Sequence, residues 1–176
     1  MLLKPPKTFG LVLNISLRMA DAVRVSDMLK EELVPFVCRF DEEDLFYLND
    51  LVDSNGKRTA ALGNWQPQEV SPSLREILPK AMRIVTEYGD VDGDWYFCFV
   101  TDRYKANDEK QLQIALQLNG SNWGGLAKVM VITLGNSFDF KEYERICKEY
   151  ECHYVHLRTP EGLGKILMDW TGMEEL

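Results

Sequence analysis

Apolar positions along the chain alternate between short continuous runs and stripes with a helical period. Residues 9–15 (Phe-Gly-Leu-Val-Leu-Asn-Ile) form a nearly unbroken apolar run of the length of a buried strand. Ala22, Val25, Leu29 and Leu33 then fall on one helix face, and Pro35 is expected to end that helix by removing a backbone donor. Residues 36–40 and 45–52 read as strands around the acidic turn at 41–44. The tight-turn pair Asn55-Gly56 would fold residues 59–65 back on 45–52 as a hairpin. A second helix is predicted over about 73–88, with Leu74, Ile77, Leu78, Ala81 and Val85 as its stripe and a kink at Pro79.

Residues 95–101 (Trp-Tyr-Phe-Cys-Phe-Val-Thr) are the most strand-like segment of all. Asn107 is placed to cap a third helix running to about residue 118. A further apolar run spans 128–134, and Ser137 then fits the cap of a helix whose face is Phe140, Tyr143, Ile146 and Tyr150. Residues 152–157 make the last strand, and Thr159-Pro160 would open a terminal helix to about residue 170.

Strands alternating with helices of this length predict an α/β fold: a Rossmann-like three-layer sandwich with a mostly parallel central sheet and helices on both faces. An antiparallel edge strand or hairpin would come from residues 36–65. The whole chain, 1–176, is expected to be one domain with its core at about 8–170. In such sheets ligands gather at the carboxyl ends of the strands, here 14–18, 101–104, 134–137 and 157–159.

Composition narrows the function classes. The formal charge of −8 and the lack of a lysine or arginine run argue against binding nucleic-acid phosphates. No stretch approaches the roughly 18 apolar residues that cross a bilayer, so no membrane partner and a cytoplasmic location are the expectation. Four scattered cysteines do not form a disulfide framework, and reduced thiols are expected.

Other candidate chemistry is weaker. Cys147, Cys152, His153 and His156 have a zinc-like spacing, but strand alternation sends His153 to the face opposite Cys152 and His156. Asp90, Asp92 and Asp94 lack the rest of a calcium loop, and no nucleophile elbow or dinucleotide loop is present. Catalysis is therefore not expected. Trp123, in a glycine-rich loop, is a candidate partner contact, as loop tryptophans are favoured at interfaces.

Several phrases resemble the von Willebrand factor type A family. Residues 9–19 (Phe-Gly-Leu-Val-Leu-Asn-Ile-Ser-Leu-Arg-Met) are similar to its first strand with an Asp-x-Ser-x-Ser motif. Residues 99–103 (Phe-Val-Thr-Asp-Arg) are similar to its later strand ending in Thr-Asp-Gly. The strand at 128–136 and the helix at 140–150 resemble its penultimate pair. The resemblance implies a Mg²⁺ or Mn²⁺ adhesion site, and the chain departs from it. Asn14 stands for the first aspartate, Ser16 keeps the first serine, and Arg18 replaces the second. Asp102 keeps the later aspartate, Arg103 replaces the glycine, and Ser71 or Ser73 lies nearest the loop threonine's place.

An arginine cannot ligate a cation, so the site is expected to be degenerate, with Arg18 either pairing with Asp102 in place of metal or pointing into solvent. The expected function is a non-catalytic protein-interaction module with no cofactor. Its partner is another protein, met through Asn14, Ser16, Arg18, Ser71, Ser73, Asp102, Arg103 and Trp123. The alternatives are a working Mg²⁺ or Mn²⁺ site that captures a partner carboxylate, and an α/β enzyme or small-ligand binder.

Overall fold

The computed structural model describes residues 7–15, 22–40, 45–49, 52–53, 94–102, 104, 107–122, 127–136 and 138–173. Among these, six strands form one sheet in the order β3-β2-β1-β4-β5-β6. The strands are β1 (Lys7–Asn14), β2 (Leu45–Asn49), β3 (Val52–Asp53), β4 (Asp94–Thr101), β5 (Ala127–Leu134) and β6 (His153–Leu157). Pairing is parallel from β2 through β1, β4 and β5 to β6, and the two residues of β3 return antiparallel on β2. The described helices are α1 (Ala22–Val37), α2 (Asp108–Asn122), α3 (Lys141–Glu149) and α4 (Leu163–Thr171).

Each central strand is apolar on both faces because both faces are covered. Phe9, Leu11 and Leu13 of β1, with Cys98, Val100, Ile132 and Leu134, pack under Leu29, Leu33 and Phe36 of α1 and Leu163 and Leu167 of α4. The alternate residues Val12, Phe97, Phe99, Val129 and Val131 meet Leu112 and Leu116 of α2 and Phe140, Tyr143 and Ile146 of α3. This is the predicted three-layer arrangement. Each large side chain so buried contributes about 1.5–3 kcal/mol, which explains why strand and helix periods were readable. No helix of the described residues is long and apolar enough to cross a membrane.

Four boundaries differ from the expectation. Pro35 lies inside α1 rather than ending it, and residues 36–40 are not a strand. Phe36 and Val37 are fully buried, and the Phe36 ring meets Phe9 edge-on at 4.9 Å. Phe40 completes the cluster at 5.3 Å from Phe36, so the spacing read as a strand is an i, i+4 pair at a helix end. Pro35 itself is exposed, so the carbonyl that loses its helical donor there is not sealed in the core.

Within 45–52, the pairing of Leu48 with Asp53 and Asn49 with Val52 splits the expected single strand in two. The predicted return strand at 59–65 and helix at 73–88 lie outside the described residues. Helix α3 starts at Lys141, not after Ser137, and the carboxylate of Asp139 accepts the Lys141 N–H at 3.0 Å. Helix α4 starts at Leu163, not Pro160, because Gly162 (φ 86°) turns the chain and Glu32 of α1 supplies the cap.

Candidate functional site

The carboxyl end of the sheet is built by register. Asn14 is the last residue of β1 and pairs with Thr101, the last of β4; Thr101 pairs with Thr133 of β5, and Thr133 with His156 of β6. Each stands two residues beyond an apolar neighbour on the α2–α3 face: Val12, Phe99, Val131 and Tyr154. A polar row of four side chains therefore crosses four strands where the apolar core stops.

Its members are joined in pairs. The Asn14 side-chain amide donates to Thr101 Oγ1 at 3.2 Å. Thr133 Oγ1 shares a hydrogen bond of 2.8 Å with His156 Nδ1 and one of 2.7 Å with the Tyr154 hydroxyl. Asn14 is 4% exposed, and its Oδ1 is buried without a hydrogen-bond partner. Asp102, also 4% exposed, follows Thr101 directly, and its backbone N–H donates to the Asn14 carbonyl at 3.4 Å. The parallel pairing of β1 and β4 thus brings together the two predicted site residues that are described.

Solved structures with this architecture decide what the fold is. A von Willebrand factor type A protein from Catenulispora acidiphila matches 94% of the chain with a TM-score of 0.67 and 14% identity. Proximal thread matrix protein 1 from the mussel byssus matches 93% with a TM-score of 0.64 and 14% identity. The chain has the von Willebrand factor type A fold. The SpRpn10 VWA domain, at 11% identity, covers 94% of this chain and 95% of its own length with a TM-score of 0.60.

The chain spans less than half of the first two proteins, 42% and 46% of their lengths. Another crystal structure of the mussel protein carries zinc in its metal-ion-dependent adhesion motif, at 14% identity and a TM-score of 0.63. No family model and no curated protein sequence matches this chain.

Within the von Willebrand factor type A fold, Asn14 and Asp102 end neighbouring central strands at the predicted ligand face. Ser16, Arg18, Ser71, Ser73, Arg103 and Trp123 lie outside the described residues. Among the described residues no group of three or more histidine, cysteine or acidic side chains converges, and that includes the zinc-like set at 147–156. All four cysteines are free thiols.

Sequence reasoning placed Thr101 at this end of the sheet but missed Thr133 and His156 as parts of it. A signal was present: Val12-Leu13-Asn14, Phe99-Val100-Thr101, Val131-Ile132-Thr133 and Tyr154-Val155-His156 each read apolar, apolar, polar. The pattern becomes visible only once the register aligns the four triplets.

Proposed function

We propose that the chain is a protein-interaction module that meets a partner protein through the carboxyl ends of β1 and β4, without catalysis and without a resident divalent cation. The fold is one commonly used for protein–protein interaction. The observation that carries the reading is Asn14. It occupies the end of β1 beside Asp102, and it is buried, neutral and already bonded to Thr101. Hard divalent cations prefer several anionic oxygens, and the described donors there offer one carboxylate. The described donor set therefore does not fit Mg²⁺ or Mn²⁺. On this reading Asp102 and Arg18 hold the loops in place of a metal, and Ser16, Ser71, Ser73, Arg103 and Trp123 complete the partner-facing surface.

A second reading has its own support. The orphaned Oδ1 of Asn14 is an oxygen donor with nothing to bind, and a cation held with Ser16 and Asp102 would satisfy it. Calorimetric titration of the chain with Mg²⁺, Mn²⁺ and Zn²⁺ separates the two. Absence of binding supports the first reading. Micromolar binding that disappears in Asp102→Ala overturns it in favour of the second. Retention of a native partner by the wild type but not by Arg18→Ala or Asp102→Ala would support the face itself; equal retention by all three would count against it.

A further inference from the structure

A concavity of about 470 Å³ lies on the β6 side of the sheet, between the start of α3 and the outer strand β6. That volume falls within the roughly 300–1,000 Å³ typical of ligand sites. Its floor is Tyr154 and His156, held by Thr133. Phe138 and Phe140 form its aromatic wall. Phe140 meets the His156 ring at 5.7 Å and the Phe138 ring at 6.4 Å. Phe138 is 45% exposed, so its ring presents apolar surface at the mouth of the concavity.

The rim carries two carboxylates, Asp139 and Glu144, and one ammonium, Lys141. Burial raises the pKa of the Tyr154 hydroxyl above its ordinary range against the lowering effect of the Thr133 bond, and both carboxylates push it further the same way. Two carboxylates against one ammonium leave the lining with a net negative charge. The start of α3 does not invite an anion either, because the Asp139 carboxylate already takes the Lys141 N–H and Glu142 and Glu144 crowd the first turn. A purely apolar occupant would strip water from two carboxylates and an imidazole with no return. A cation laid against the exposed Phe138 ring gains from both its aromatic face and the carboxylates.

We propose that this concavity receives a basic side chain of a partner polypeptide, arginine before lysine. The planar guanidinium stacks on rings and pairs with carboxylates, whereas an ammonium does only part of each. The formal charge of −8 complements such a partner. β6 is the edge of the described sheet, so an extended segment reaches the site without crossing another strand. Asn14 and Asp102 do not line the concavity, which shares only His156 with the polar row, so variants at Asp102 and at Phe138 or Glu144 test the two proposals separately.

The test is a titration of the isotope-labelled chain with the capped peptide Gly-Gly-Arg-Gly-Gly, followed by amide and aromatic resonances. Counterparts with lysine, leucine or glutamate at the centre serve as comparisons. The expected result is saturable shifts at Phe138, Asp139, Lys141, Tyr154 and His156, with millimolar affinity for arginine and weaker binding of lysine. Phe138→Ala and Glu144→Gln, both exposed and outside the core, should each weaken arginine binding by roughly two- to fivefold while leaving the remaining spectrum unchanged. Leucine binding as well as arginine would overturn the proposal in favour of an apolar groove. Tighter glutamate binding would overturn it in favour of an anion site, and the absence of saturable shifts with arginine would remove the site altogether.

Discussion

Glu32 ties two helices that lie far apart in sequence, and its removal should weaken the fold by a calculable amount. Its Oε1 accepts the Gly162 N–H at 2.9 Å and its Oε2 accepts the Gly164 N–H at 2.9 Å. Both are orphan donors at the start of α4, where a negative charge is also favoured by the helix dipole. A hydrogen bond to a charged group contributes about 1.5–3 kcal/mol when buried; here one is exposed and one part-buried, so Glu32→Ala should cost about 2 kcal/mol in all. Glu32→Gln keeps one good acceptor and should cost about half of that.

Gly164 tests the same contact from the other side. A Cβ there would lie 2.8 Å from the Glu32 backbone oxygen and 3.0 Å from Oε2. Gly164→Ala should therefore destabilise by about 1–3 kcal/mol, although alanine in an unconstrained helix would gain up to ~1 kcal/mol. In the double variant the carboxylate half of the clash goes and the backbone half stays, so the losses should be less than additive without cancelling. The assay is urea unfolding with an unchanged m-value, accompanied by a melting shift of about 2–4 °C per kcal/mol. A Glu32→Ala variant within about 0.5 kcal/mol of wild type, or a Gly164→Ala variant that gains stability, would refute the clasp.

Three further outcomes are expected. Cys38 is exposed, whereas burial pushes Cys147 up to about 12, Cys152 up to about 11 and Cys98 higher still. Mass spectrometry after brief alkylation of the native chain at pH 8 should find the label at Cys38 first; early labelling of Cys98 would contradict the packing. Thr133→Val keeps the buried shape but removes the partner of both Tyr154 and His156. It should cost about 1–2 kcal/mol in denaturant unfolding, and Tyr154→Phe less, because Thr133 keeps its bond to His156. Asn14→Asp places a second carboxylate beside buried Asp102 and should lower the melting temperature in chelator. Recovery on adding Mg²⁺ to this variant and not to wild type would identify Asn14 as the residue that disables the cation site.

The layers of the fold were legible because strands covered on both faces read as continuous apolar runs, and helices over them as stripes. The residues of β1, β4 and β5 differ from the predicted strands by one or two positions. Helix boundaries were less legible because tertiary contacts set them. The burial of Phe36 carries α1 past Pro35, and the cap of α4 is a glutamate 130 residues earlier in the chain. No local pattern reports a partner at that distance. Of the site, Asn14 and Asp102 were readable through a family resemblance. The Thr133–His156 half was not, because a threonine ending an apolar run looks like any strand end until register sets it beside a histidine.

The orphaned oxygen of Asn14 bears on why the sheet ends as it does. A buried acceptor without a partner costs about 1–3 kcal/mol, a large share of a net stability of about 5–15 kcal/mol. Packing does not require that cost: Val12, one pleat earlier on the same face, shows that the position could hold an aliphatic side chain. Nor does the fold require it, since β1 is held by eight register pairs to β4 and four to β2. What the asparagine does preserve is the bond to Thr101, and with it the polar row across the strand ends. Asn14→Leu should then be as stable as wild type, or more so, and should fail at whatever this face binds. A leucine variant that unfolds would instead assign Asn14 to the fold. Stability gained together with partner binding lost is the combination expected of a residue kept for a surface rather than for a core.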